Sequence, residues 1–255
     1  MGQIHARVRG RGGWSLTLLQ GEDVTTDKTA IRNAATVIVL RDRATAPRVL
    51  MGQRGANAAF MPNKFVFPGG AVDPGDSTVP LLAQMPDLCL SRLREDSAED
   101  LSHALAAAAI RELWEETGLA LGRVGTWPDP VPEDWTTFAR RDLLPVADQM
   151  QFFFRAITPP GRPRRFDARF FLVDATHIAG DPDDFSAASE ELSHLQWVPL
   201  QEARALDLPF ITEVVLAELE ARAADPSPPA SVPFFKNDEE ESHFLRVYGI
   251  PMRDD

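Results

Sequence analysis

A mixed β-sheet covered by helices on both faces, an α/β/α layering in the α/β class, is the fold this sequence predicts. Three observations predict it. Short β-branched apolar runs open the patterned part of the chain, one long amphipathic helix ending at Gly118 follows, and further apolar runs then precede a C-terminal helix.

Taken in order, residues 1–33 show no sustained period and are expected to be a lead-in. Ala35–Leu40, Ala-Thr-Val-Ile-Val-Leu, has the composition of a buried strand. Arg48–Arg54 is a second strand, joined through a hairpin turn at Asp42–Pro47. Lys64–Phe67 runs extended into Pro68-Gly69-Gly70, where glycine permits a tight turn. Between Ser77 and Glu95, Pro80 and Pro86 limit helix length. Ser97 to Asp100, a serine followed by acids, predicts a helix start. Leu101, Leu105, Ala108 and Leu113 then supply a buried stripe, and Gly118 the stop. Thr126–Pro132 reads as loop and Glu133–Leu144 as a short helix. Gln149–Thr158 and Ala168–Ala175 read as strands about a turn at Pro159–Pro163. Leu195–Leu200 is a further strand, with a helix from Gln201 and another over 210–223. Domain boundaries are expected at 34 and 224, with 225–255 a linker and tail that adds at most an outer extended segment.

Composition narrows the functional classes. Lys and Arg number 26 against 38 Asp and Glu, a formal charge of −12. That excess disfavours nucleic-acid binding, which is driven by basic surface displacing counterions. An acidic protein that handles phosphates needs cations between itself and its ligand. Cys89 is the lone cysteine, read as a small buried residue, and fits a reducing, cytoplasmic setting. The longest purely apolar stretch, Ala104–Ile110, is too short to span a bilayer, and the N-terminal region lacks the apolar core of a secretory signal.

The segment with chemical content is Arg111-Glu112-Leu113-Trp114-Glu115-Glu116-Thr117-Gly118-Leu119. On a helix, Glu112, Glu115 and Glu116 stand at i, i+3 and i+4, so their carboxylates share one side. Clustered carboxylates repel unless a positive charge lies among them, and a hard divalent cation, Mg²⁺ or Mn²⁺, suits oxygen ligands. Arg111, four residues before Glu115, can hold that carboxylate as an ion pair.

This segment resembles the second half of the Nudix box, Arg-Glu-apolar-x-Glu-Glu-x-Gly-apolar. The first half is present as Gly70 followed by Asp76, where the family usually has Glu. Ser77–Ile110 is far longer than the family's usual spacer, with Ser77–His103 the natural insertion. An interrupted box, with Phe60-Met61-Pro62 ahead of Phe67-Pro68-Gly69-Gly70 and Arg165-Phe166-Asp167-Ala168-Arg169-Phe170-Phe171 downstream, resembles the branch of the peroxisomal coenzyme A diphosphatases of animals.

The resemblance implies a Nudix fold over 34–224 and metal-dependent hydrolysis of a diphosphate in a small-molecule nucleoside diphosphate derivative. It implies Mg²⁺ or Mn²⁺ on Glu112, Glu115 and Glu116, with the Gly69 carbonyl completing the shell and Arg111 ordering the carboxylates. Asp76 would brace the loop against the helix, and Glu191, or its neighbour Glu190, would serve as a further ligand or base. Arg54 matches the first arginine of the coenzyme A signature, while its second arginine and its glycine fall on Ala59 and Asn63. Coenzyme A or an acyl ester is therefore the first expected substrate. ADP-ribose, a dinucleotide, a capped RNA end or a non-catalytic nucleotide sensor are the alternatives, and the three intact glutamates speak against the last. A homodimer is compatible with the resemblance.

Other residues carry weaker expectations. Arg164, Arg165 and Arg169 lie on or beside a strand, where they can face substrate phosphates; alternation also pairs Arg169 with Asp167. Arg169 is retained with Arg54 as a substrate-binding candidate. His194 reads as a surface residue, Trp127, Trp135 and Trp197 as packing residues, and Asp238–Glu241 as a solvated acidic run.

Overall fold

A computed structural model of the chain describes residues 30–58, 60–238 and 241–249. The expected lead-in falls almost wholly outside these residues, as do Ala59 and part of the acidic run at 238–241.

Strand β1 spans Ile31–Arg41 and is buried on both faces. Ala35, Val37 and Val39 face one side of the sheet, Ile38 and Leu40 the other, and each has no exposed surface. This is why the run reads as continuously apolar rather than alternating. β1 extends beyond the expected Ala35–Leu40 because Ile31–Leu40 pairs in parallel with Arg165–Asp174 of β8. That ladder continues through polar residues whose sequence carries no strand signal. β2, Arg48–Arg54, forms the expected antiparallel hairpin with β1.

The remaining strands are β3 (Phe65–Val66), β4 (Gly69–Ala71), β5 (Gly122–Val124), β6 (Leu143–Pro145), β7 (Gln151–Ile157), β9 (Leu192–Pro199), β10 (Val232–Asn237) and β11 (Ser242–Val247). The main sheet runs β11-β10-β7-β8-β1-β2-β3, with β4 on β1 and β9 on β2. β1–β8 and β7–β10 are parallel and the other pairs antiparallel, so the sheet is mixed, as expected. The edge of β1 opposite β8 is shared: β2 takes Leu40–Arg41, and β4 takes Ala34–Thr36. Between them the Val37 N–H donates to the Pro68 carbonyl at 2.8 Å. The Phe-Pro-Gly-Gly turn is thus built into the sheet.

Helix α2, Ser102–Thr117, lies on one face against β1. Ala106, Ala107, Ala108 and Ala109 are fully buried, and their small side chains allow close approach to the sheet. Gly118 ends the helix at φ 74°, and its N–H donates to the Trp114 carbonyl at 2.8 Å. The helix begins later than the expected Ser97–Asp100. Ser97 Oγ donates to the Glu99 carbonyl, and Asp100 accepts from the Ser102 N–H, so local side-chain bonds hold 97–100 outside the helix. On the other face, α5 (Phe210–Arg222) buries Val215, Leu216 and Leu219 against Ile38, Leu40, Phe170 and Leu172. A single-turn α4, Leu200–Ala203, precedes it.

Two expected segments differ. Glu133–Leu144 is not one helix: a turn of 3-10 helix and α3 (Thr136–Ala139) occupy its start, while Leu143–Pro145 pairs with Gly122–Val124. The expected linker and tail, 225–255, supplies β10 and β11 to the main sheet, through Phe234 and Phe235 beside Arg155 and Ala156. The insertion at 77–103 forms α1 (Asp87–Arg94) and docks on that same hairpin. Arg92 donates to the carbonyls of Pro229 and Ala230, and Glu95 accepts from the N–H groups of Tyr248 and Gly249 at 3.0 and 2.7 Å. Cys89 is buried there, as expected.

Gly69 has no room for a side chain. A Cβ there would lie 2.5 Å from the Ala35 carbonyl oxygen and 2.6 Å from Thr36 Cα, both backbone atoms that cannot turn aside. Gly69→Ala is therefore expected to destabilise the protein by about 1–3 kcal/mol, read from urea unfolding. An unchanged midpoint would show that β4 shifts freely.

Candidate metal and substrate site

Arg111 organises the site. Its guanidinium is buried and grips Asp76 through both sides, Nε to Oδ1 and Nη2 to Oδ2, each at 3.0 Å. Nη1 donates to Glu112 at 2.8 Å and to Glu115 at 3.2 Å, and Nη2 also donates to the Ala71 carbonyl. Asp76 in turn accepts from the Asp73 N–H, which closes the loop between β4 and the insertion. The shorter acid at this position thus reaches its partner in full. Burial works against the Arg111 charge, but Asp76, Glu112 and Glu115 outweigh it and raise its pKa.

Glu112 and Glu116 face the turn at Gly69–Gly70, and Glu115 lines the same cleft. Glu116 is buried, and its carboxylate accepts from the Gly69 N–H at 2.7 Å. Glu112 lies against Gly70 so closely that a Cβ there would fall 2.3 Å from its Oε1. The glycine pair thus serves two ends: one glycine donates to Glu116, and the other makes room for Glu112.

Burial pushes the Glu112 carboxyl up to about 7, with Arg111 opposing and Glu115 and Glu191 adding to the shift. Glu116 is pushed well above the ordinary range by burial and then by the Glu112 charge, against the pull of the Gly69 N–H. Burial likewise raises Glu115.

Among the described residues no three His, Cys, Asp or Glu groups converge into a ready-made cage. The reason is visible in the bonds: Arg111 draws Glu112 and Glu115, while Glu116 rests on Gly69. The donor set nonetheless fits a hard cation. It is all oxygen, and the repulsion between half-buried Glu112 and buried Glu116 is what a divalent ion relieves.

Raised carboxyl pKa values mean that the folded metal-free protein holds protons more tightly than the unfolded chain. That contribution is full below the ordinary value of 4.5 and is lost as pH rises through about 7 for Glu112, and Glu116, raised in the same direction, adds to it. In chelator, the thermal midpoint should fall across this window, less so in Glu116→Gln, and Mg²⁺ should restore more of it at the alkaline end. The same pH slope in both proteins would contradict the assignment.

Glu112 and Glu115 open onto a cleft of about 430 Å³ on the α5 side of the sheet. Arg54 and Glu191 line it together, with Arg54 Nη2 donating to Glu191 Oε1 at 3.3 Å. Arg54 Nε is buried with no hydrogen-bond partner among the described residues. Asn63, where the coenzyme A signature has glycine, takes φ 61°, a left-handed conformation that asparagine tolerates better than most residues. Glu190 does not line this cleft.

Arg169 is a correction. It lies on the opposite face of β8, buried, donating to Asn33 Oδ1 at 2.6 Å and paired with Asp167 at 3.1 Å. Burial lowers its pKa to about 10 despite Asp167. Alternation turns Phe166, Ala168 and Phe170 into the cleft and Arg169 away from it. The three tryptophans stand outside the cleft too: Trp127 stacks near Trp135 at 5.5 Å, and Trp197 lies under Arg41. His194 is exposed.

Sequence reasoning did not foresee the aromatic wall. Phe60 meets Phe166 edge to face at 5.4 Å, and Phe67 meets Phe170 at 6.5 Å. The only available signal was the even-numbered spacing of Phe166 and Phe170 along one strand.

The family described as the NUDIX domain matches residues 99–219. A Caenorhabditis elegans protein named "Putative nudix hydrolase 7" is 30% identical over 183 residues, 67% of this chain and 52% of that protein. The chain thus spans about half the length of this curated relative. The crystal structure of a NUDIX hydrolase from Alicyclobacillus acidocaldarius superposes with a TM-score of 0.55 at 28% identity, covering 78% of this chain and 94% of that one. With its glutamate-bearing helix packed on the Gly69–Gly70 turn of a mixed sheet, the chain carries a NUDIX domain.

Proposed function

We propose that the chain is a Nudix hydrolase that cleaves the diphosphate linkage of a nucleoside diphosphate derivative with Mg²⁺ or Mn²⁺. The observation that carries this reading is one cleft in which Glu112, Glu115, Glu191 and Arg54 share a wall with Gly69–Gly70. Glu112, Glu115 and Glu116 would hold the cation, with the Gly69 carbonyl as a further oxygen ligand. A bound cation supplies charge neutralisation on the diphosphate and Lewis acidity toward water.

The chain's own residues do the rest. Arg111 fixes Glu112 and Glu115 in orientation and keeps their loop closed through Asp76. Arg54, on the cleft wall, would meet substrate oxygens, and Glu191 beside it would accept a proton from the attacking water. The apolar wall at Phe166 and Phe170 excludes water from the opposite side.

Coenzyme A and its acyl esters are the first substrates proposed. The interrupted box, Arg54, and Asn63 in a left-handed conformation that glycine adopts most readily support them. The test is a panel of coenzyme A, ADP-ribose, NAD and dinucleotide polyphosphates with each metal, with products read by mass and the attacked phosphorus located with labelled water. Cleavage of ADP-ribose with coenzyme A untouched would remove the substrate proposal alone. No cleavage of any member would remove the hydrolase.

A further inference from the structure

The insertion at 77–103 has no part in the hydrolytic reading, yet it ends against the segment that forms one wall of the cleft. Phe235 and Asn237 of β10 line that cleft beside Ala156, Ile157 and Phe166. Ring centre to ring centre, Phe235 lies 6.2 Å from Phe210 and 6.3 Å from Phe244, so the wall continues onto the first residue of α5. The glutamates stand at the other side, because β7 and β8 separate β10 from β1 and β4.

β10 has a short hold on the sheet. It pairs with β7 at Phe234–Arg155 and Phe235–Ala156. Asn237 adds two bonds, from its Nδ2 to the Ile157 carbonyl at 2.7 Å and from Arg165 Nη2 to its own carbonyl at 3.3 Å. Its partner β11 is the edge strand of the main sheet. A two-stranded hairpin is marginal by itself, so the place of Phe235 depends on what else grips it.

The insertion supplies that grip. Arg92, in the last turn of α1, is 3% exposed and donates to the Pro229 and Ala230 carbonyls at 2.7 and 3.0 Å, just ahead of β10. It also donates to the Tyr248 carbonyl at 3.3 Å, just after β11. Glu95, at the cap of α1, accepts from the Tyr248 and Gly249 N–H groups. One turn of helix thus ties the entry and the exit of the hairpin together. Asp96 pairs with Lys236 at 2.9 Å, and Arg155, held by Asp167, donates to the Glu95 and Asp96 carbonyls. Cys89 and Leu93 share the core with Val232, Phe234 and Val247. Apolar burial of that kind is non-directional. Charged groups bonded to backbone fix a position as well as holding it.

We propose that Arg92 and Glu95 are positioning residues for the cleft: through the β10–β11 hairpin they set where Phe235 and Asn237 stand, and so how tightly a nucleotide is held. This rests on the cleft being the nucleotide site of the hydrolase reading, but neither measurement of it needs turnover.

Hydrogen exchange on the full chain, followed by mass spectrometry, is the first. In Glu95→Ala, exchange across Val232–Val247 should quicken by about tenfold or more, since two bonds to a charged acceptor are lost. Ser102–Thr117 should exchange as in wild type. Glu95→Gln keeps a carbonyl oxygen for both N–H groups and should return most of the protection. Arg92→Lys, which meets fewer of the three carbonyls, should act on the same segment in the same direction. Calorimetric titration with AMP and Mg²⁺ is the second. A loosened wall must be ordered on binding, so affinity should fall by about fivefold in Glu95→Ala and recover in Glu95→Gln. Unchanged exchange in the hairpin overturns the proposal, as does unchanged AMP affinity with a loosened hairpin. Faster exchange in Ser102–Thr117 as well, or loss of the fold, would make Glu95 a support of the whole domain and overturn it too. Wild-type protein that does not bind AMP removes the role in the cleft. If both measurements respond as expected and no diphosphate is cleaved, the positioning role stands and the hydrolase reading fails.

Discussion

In Glu116→Gln, turnover of the cleaved diphosphate is expected to fall by a factor on the order of 10³, while the metal-free protein keeps or gains stability. Glutamine retains a carbonyl oxygen for the Gly69 N–H, so the 2.7 Å bond and the packing survive. It removes a buried charge that burial and Glu112 both disfavour. The variant thus separates the need for charge at this position from the need for shape. Steady-state turnover at saturating Mg²⁺ and a melt in chelator are the two measurements. Turnover within a few-fold of wild type would remove Glu116 from the metal set.

Arg111→Ala should act in the opposite way, through stability first. Asp76 is buried with Arg111 as its bidentate partner, and removal of one member of such a pair leaves an uncompensated charge. A loss of about 3–5 kcal/mol is expected, or a fall of roughly 10 °C in thermal midpoint for a domain of this size. Asp76→Asn in the same background should recover part of it, since the stranded charge is then gone. Recovery by Asp76→Asn without any return of activity is the expected pattern, because Glu112 and Glu115 remain without their orienting guanidinium. Additive losses in the double variant would mean that Asp76 and Arg111 act independently.

The sequence announced those parts of the site that lie close together in the chain. Glu112, Glu115 and Glu116 share a helical face by spacing alone, and Gly118 stops that helix for a reason local to its backbone. What depends on distant partners was less legible. Arg169 could be read as facing phosphate or Asp167, and only the parallel pairing of β8 with β1 brings Asn33 to it and turns it inward. The Arg54–Glu191 pair joins residues 137 positions apart. Leu143–Pro145 took on a helical reading because a three-residue strand has no room for periodicity. Val232–Asn237 is hidden for a similar reason: the prolines from Pro226 to Pro233 suggest a linker, yet Pro233 is tolerated in β10, and the register with β7 depends on Phe234 and Phe235.

The docking of α1 against residues 229–249 has a bearing on how the chain is made. Residues 69–118, with the glycine turn and every glutamate of the helix, leave the ribosome long before Arg92 and Glu95 can meet Pro229, Ala230, Tyr248 and Gly249. β1 likewise waits for β8, more than a hundred positions later. The nascent chain therefore carries an acidic, unassembled segment while on the order of a hundred further residues are made, and closing such long loops is the slow part of folding. The cleft that receives Glu112 and Glu115 is completed by Phe235 and Asn237 of β10, which follow them by more than a hundred positions.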